Sequence, residues 1–145
     1  MKDVREALMV GRNSEGQLVR RPLSPFMIGP SYKPQMSSMT SIMHRLTGIA
    51  LGAGTVLFTA WLVCAAMGDS AFSVIQAIFA SWIGMLVLFG FTLALFYHFC
   101  NGIRHLAWDA GKGFELPDMH RNGWLVIAAS IILTVVFWAI AFLVG

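Results

Sequence analysis

A chain of 145 residues with 57% hydrophobic and only 12% charged side chains departs from soluble domains, in which roughly 25% of residues are charged. The missing charge points to lipid as the solvent. The net charge of +3 lacks the clustered density of a nucleic-acid footprint, so no nucleic-acid partner is expected.

Residues 1–38 read as an irregular arm. Pro22, Pro25, Pro30 and Pro34 recur every few positions and forbid a continuous helix. Phe26, Met27, Ile28 and Tyr32 are apolar side chains in that arm, which favours packing on a soluble partner. Residues 39–145 then read as a three-helix transmembrane anchor, with spans over about 44–67, 82–108 and 123–144. Within them lie three runs, Leu46–Met67, Trp82–Cys100 and Trp124–Val144, that carry no Lys, Arg, Asp or Glu. A bilayer-spanning helix needs about 20 apolar residues. A soluble helix would instead show one apolar stripe.

Helix one is expected to begin near Thr40, with Ser37, Ser38 or Thr40 as N-cap. Asp69 and Ser70 should end the first span and cap a short surface helix over 71–80. Helix two should run from Ser81 to Trp108. Gly111, Gly113 and Pro117 should break the chain into a loop, with helix three starting at Asn122. Trp61, Trp82, Trp108 and Trp124 lie near span ends, as an aromatic belt requires. Cys64 and Cys100 fall at different depths, so they should remain free. The fold class expected is an all-α membrane protein with three transmembrane helices and an irregular N-terminal arm.

Basic residues set the orientation. Lys2, Arg5, Arg12, Arg20, Arg21, Lys33 and Arg45 precede or open the first span, and the connection 68–81 has no Lys or Arg. Arg104, Lys112 and Arg121 gather around the second connection. The positive-inside rule places the N-terminus in the cytoplasm, or in the matrix of a mitochondrion. Three helices enclose little volume, so the chain should be one subunit of a larger assembly.

Ionisable groups inside a membrane are costly and usually face a protein interior. His98 and His105 are seven residues apart, two turns along one face and about 10 Å along the axis, with Asp109 four further on. A neutral imidazole can ligate haem iron. Ala94 and Gly102, four residues either side of His98, leave room for a flat ring, and Arg104 and His105 could meet its propionates. The alternative is an interhelical hydrogen bond, and position alone does not choose between them. His44, His105 and His120 lie shallower than His98, so a second histidine ligand would come from another polypeptide. On helix one, Ser41, His44 and Arg45 share a face at the membrane boundary, and Gly48 and Gly52 extend it as a GxxxG pattern that admits a helix or a flat group. A hydroxyl and a guanidinium there suit a quinone carbonyl. Taken alone, a snorkelling Arg45 and a capping Ser41 are the simpler reading. Asp109 and Asp118 are expected to pair with Arg104, Lys112 or Arg121.

Two longer segments carry a resemblance. Ser41-Ile42-Met43-His44-Arg45-Leu46-Thr47-Gly48 resembles the S-x-x-H-R-x-T-G signature of the succinate dehydrogenase cytochrome b556 family. His98-Phe99-Cys100-Asn101-Gly102-Ile103-Arg104-His105-Leu106-Ala107-Trp108-Asp109 resembles its H-x-x-x-G-x-R-H-L-x-W-D signature, and Arg21-Pro22-Leu23-Ser24-Pro25 its R-P-L-S-P opening. Phe26-Met27-Ile28-Gly29-Pro30 departs from the His and aliphatic-Tyr continuation common in that family. The resemblance implies a membrane anchor of complex II in a bacterial or mitochondrial inner membrane, beside a second anchor, an iron–sulfur subunit and a flavoprotein. It implies haem b with His98 as one axial ligand and the other from the second anchor, His44 near the haem propionates, and ubiquinone lined by Ser41 and Arg45. Such a chain is non-catalytic alone. A fumarate reductase-type anchor and a haem-free structural anchor are the alternatives.

Overall fold

The computed structural model describes residues 10–20 and 34–144. The Arg21–Pro25 motif and the apolar residues Phe26, Met27, Ile28 and Tyr32 lie outside the described residues. The chain divides into two units, residues 1–35 and 36–145.

The first unit holds a hairpin rather than a wholly irregular arm. Strands β1 (Val10–Arg12) and β2 (Leu18–Arg20) pair antiparallel, with Val10 opposite Arg20 and Arg12 opposite Leu18. Asn13 makes the turn. Its Oδ1 accepts the N–H groups of Glu15 (3.1 Å) and Gln17 (2.8 Å), the reach of an Asx turn. Gly16 takes φ 80, a left-handed conformation open to glycine.

The second unit is helical throughout: α1 (Met36–Met67), α2 (Asp69–Ala80), α3 (Trp82–Asp109) and α4 (Leu116–Val144). Three of these, α1, α3 and α4, are long and apolar enough to cross a membrane. Helix α3 packs against both α1 and α4, while α2 lies against the adjoining ends of α1 and α3.

Burial is inverted relative to a soluble protein. Thr40, Thr47, Asn101, Arg104, Ser130 and Thr134 are buried, whereas Leu143 is 85% exposed and Trp82 74%. Lipid rewards no apolar burial between helices, so close contact and hydrogen bonds hold them. Each buried hydroxyl is spent locally: Ser130 donates to the Ile127 carbonyl and Thr134 to that of Ser130. Gly123 on α4 sits against Met36 and Thr40 of α1, and a Cβ there would meet Met36 Cγ at 2.6 Å.

The helix ends differ from the expected ones in several places. Helix α1 starts at Met36, so Ser37, Ser38 and Thr40 are internal. Thr40 Oγ1 donates back to the carbonyls of Met36 and Ser37 instead of capping. Between α1 and α2 the cap is Gly68 at φ 103 with no side-chain bond; Asp69 opens α2, where its charge suits the helix dipole. Helix α4 starts at Leu116, not Asn122, because Pro117 falls in the first turn. Proline is tolerated there since its missing N–H would have no intrahelical partner. Helix α3 starts at Trp82, one residue after the expected Ser81, which instead caps it: Ser81 Oγ accepts from the Gly84 N–H at 3.1 Å. Gly84 packs on the backbone of Ile78 and Phe79 with no room for a Cβ, which sets the tight corner between α2 and α3.

Candidate functional site

The side-chain hydrogen bonds that join α1, α3 and α4 gather at one end, where α1 begins and α3 finishes. Two faces of α3 carry the polar side chains there. Tyr97, Asn101, Arg104 and Trp108 follow at spacings of four, three and four, one helical stripe. His98 and His105 lie on the neighbouring stripe.

The first stripe builds a junction of three helices. Tyr97 Oη donates to the Thr40 carbonyl (3.2 Å), and Asn101 Nδ2 to the same oxygen (3.4 Å). Arg104 is 5% exposed. Its Nη1 donates to Thr40 Oγ1 (2.6 Å) and Asn101 Oδ1 (3.4 Å), and its Nη2 to the Met119 carbonyl of α4 (3.2 Å). The guanidinium lies 4.2 Å from the centre of the Trp108 ring, a cation–π distance. Arg104 Nε is buried without a hydrogen-bond partner among the described residues. A buried charge must be matched by hydrogen bonds, and here neutral oxygens do most of it. Trp108 serves this junction, its Nε1 donating to the Gly113 carbonyl (3.2 Å). Asp118 pairs with Arg121 at 3.0 Å as expected; among the described residues Asp109 forms no such pair.

The second stripe brings three histidines together. The rings of His44 and His98 stack with centroids 3.9 Å apart and planes 12° apart. His105 follows, 5.0 Å from His44 and edge-on to Trp108 at 5.1 Å. Gly48 admits the His98 ring, since a Cβ there would stand 3.1 Å from His98 Cε1. The flat group that the GxxxG pattern admits at Gly48 is therefore an imidazole; Gly52 faces open space. His98 Nδ1 lies 3.1 Å from the His44 carbonyl and 3.2 Å from Thr47 Oγ1. A carbonyl can only accept, so Nδ1 carries a proton, and in the neutral ring Nε2 keeps its lone pair. No protein group among the described residues hydrogen-bonds that Nε2.

Ser41 is half-buried and Arg45 exposed on the same end of α1. Among the described residues neither side chain makes a hydrogen bond or ion pair, so both keep their donors. The sequence reading missed Thr40, Thr47, Tyr97 and Asn101. A signal was present: Thr40 and Thr47 are seven apart on α1, and Tyr97, Asn101 and Arg104 form a polar stripe in an otherwise apolar span. Among the described residues, no three His, Cys, Asp or Glu side chains converge as ligands for a bare metal ion. Cys64 and Cys100 are free.

The family model of the succinate dehydrogenase/fumarate reductase transmembrane subunit matches residues 17–137. The succinate dehydrogenase cytochrome b556 subunit of Paracoccus denitrificans is 44% identical over 115 residues, 79% of this chain and 87% of that protein. The subunit of the same name from Rickettsia typhi is 38% identical over 119 residues, 82% of this chain and 91% of the relative. The mitochondrial succinate dehydrogenase cytochrome b560 subunit of Sus scrofa is 32% identical, covering 91% of this chain and 83% of its own length. With three membrane-length apolar helices and a match that spans all of them but the last few residues, this chain belongs to the family of succinate dehydrogenase/fumarate reductase transmembrane subunits.

Proposed function

We propose that this chain is the haem b-binding membrane anchor of a succinate dehydrogenase, and that it helps seat ubiquinone beside an iron–sulfur subunit. The observation that carries this reading is the state of His98: Nδ1 is held inside the protein by the His44 carbonyl and Thr47, which leaves Nε2 as a ligand. The relatives' names as cytochromes b support it. So does the space beside His98. A Cβ on Gly102, one turn away, would meet nothing within 4 Å, so a flat macrocycle can lie against the helix.

When bound, the haem supplies a one-electron redox centre; the protein supplies ligation, orientation and field. His98 would hold the haem iron through Nε2. His44, whose ring lies face to face with that of His98, would not serve as a second iron ligand. The second iron ligand would come from the second anchor subunit. His44 stacks on His98 and His105 follows His44 in the row; both would meet the propionates. Arg104 would reach them through Nε and one remaining Nη2 hydrogen, since its other three N–H groups donate to Thr40, Asn101 and Met119. Ser41 and Arg45, with free donors, hold the quinone carbonyl and stabilise negative charge on it as it is reduced. The flavoprotein completes the assembly, in the inner membrane of a bacterium or mitochondrion. The N-terminus faces the cytoplasm or matrix, the side of Arg45, Lys112 and Arg121.

A reduced-minus-oxidised visible spectrum of the intact complex tests this. The wild type should show a b-type band, and His98→Ala should lose it while succinate oxidation by a soluble dye persists. An absent wild-type band, or one unchanged in His98→Ala, overturns the reading.

A further inference from the structure

We infer that Thr47 is a positioning residue of the haem site, whose hydroxyl fixes the protonation and angle of the His98 ring and strengthens it as a ligand. The inference rests on the reading of His98 as an axial ligand and deepens it.

Four distances define the arrangement. Thr47 Oγ1 lies 2.9 Å from the Met43 carbonyl and 2.9 Å from that of His44. The same oxygen is 3.2 Å from His98 Nδ1, and the His44 carbonyl is 3.1 Å from that nitrogen. A hydroxyl has one hydrogen to give. Thr47 gives it to its own helix, four or three residues back, so its lone pairs are turned to Nδ1. The Nδ1 proton is thus shared between two oxygens, both on α1.

Three consequences follow. The tautomer is fixed with the Nε2 lone pair outward. The ring is also fixed in angle, between the stacked ring of His44 and the bare backbone of Gly48. And an acceptor on the distal nitrogen raises the basicity of the ligating one, as outer partners of metal-bound histidines commonly do. Threonines that only bond back to their own helix are common in membrane segments. Thr47 differs because its oxygen also meets an imidazole from another helix, and because it is only 9% exposed, where an unmet lone pair would be costly.

The test uses the intact complex and the isosteric Thr47→Val, which removes the hydroxyl but leaves the His44 carbonyl. The expected result is a haem midpoint potential above the wild-type value, since a weaker donor stabilises ferric iron less. Haem dissociation should be about tenfold easier, the lower end of typical outer-partner effects. Thr47→Ser, which restores the hydroxyl, should recover both. If valine prevents assembly, Thr47→Ala replaces it, with recovery in serine again required. Wild-type potential and haem retention in the valine or alanine variant overturn the inference, as does a serine variant that recovers neither. His98→Ala separates the two levels. A haem band that survives His98→Ala removes the ligand reading itself, whereas one lost there but unmoved by the Thr47 change removes only the role of Thr47.

Discussion

The two ends of the bundle are held by different chemistry. Where α1 begins and α3 finishes, Thr40, Tyr97, Asn101 and Arg104 cross-link α1, α3 and α4 through hydrogen bonds, beside a contiguous row of histidines. At the opposite end, where α2 joins α1 to α3, the contacts are aromatic. Phe58 stacks on Trp61 at 6.0 Å, and Trp61 meets Phe72 edge-on at 5.8 Å. A cavity of about 310 Å³ opens there, lined by Phe58, Trp61, Phe79 and Phe91 among others. The cross-helix hydrogen bond at that end is a long one, Trp61 Nε1 to Gln76 at 3.5 Å. Polar groups in a membrane are costly. This chain concentrates its hydrogen bonds between α1, α3 and α4 at the end where His98, Ser41 and Arg45 lie, the end proposed above to hold the haem and the quinone, and the cavity lies at the other.

The strongest way to break this contrast is Arg104→Ala. It removes hydrogen bonds from a charged donor to two other helices and its contact with the Trp108 ring, and it takes away the N–H that the buried Asn101 Oδ1 and Thr40 Oγ1 accept. A loss of roughly 3 kcal/mol is expected, read as a large fall in the melting temperature of the detergent-solubilised complex. Arg104→Met, which keeps volume without charge, should recover part of it, since replacing a buried ion with an apolar group is often tolerated. If Arg104→Ala melts like the wild type, the hydrogen bonds of the polar end do not hold the helices together.

Arg45→Ala comes next and touches function without stability. Arg45 is exposed and makes no hydrogen bond or ion pair among the described residues, so the melting temperature should hold. Quinone reduction should fall about 100-fold, as when one donor to developing negative charge is removed, while dye reduction by succinate stays near wild type. Equal loss of both activities would remove the quinone role.

The same contrast explains what could be read from the sequence. The spans were legible because a charge-free run in lipid has one structural solution, and α3 was placed almost to the residue. His44, Arg45 and His98 stood out as ionisable groups in apolar surroundings, and the motifs around them added the family. The hairpin 10–20 was hidden because four prolines dominate the arm, although Asn13 and Gly16 spell a turn. The start of α4 was misjudged because proline reads as a breaker, yet is welcome in a first turn. The Thr40–Arg104 junction was illegible for a deeper reason. It joins residues more than 60 positions apart in sequence, and no local spacing says which threonine an arginine will meet. Thr47 likewise stands in the first motif, but its bond to His98 exists only once α1 and α3 are packed.

Gly54→Ala sharpens the comparison with the smallest effect. Gly54 of α1 faces the Phe91 ring on α3 so closely that an added Cβ would overlap its Cδ2, Cε2 and Cζ atoms. Overpacking of this kind commonly costs about 1–3 kcal/mol. Here Phe91 also lines the cavity, so its ring has somewhere to turn, and a cost of about 1 kcal/mol is expected at the low end of that range. Phe91 lies two helical turns from His98, about 10 Å along α3, and no hydrogen bond of the histidine row passes through it. The variant should therefore lower the melting temperature slightly and leave the haem potential where it is. A shift in potential as large as that of Thr47→Val would mean that strain at the aromatic end reaches the histidines, and that the two ends are one mechanical unit.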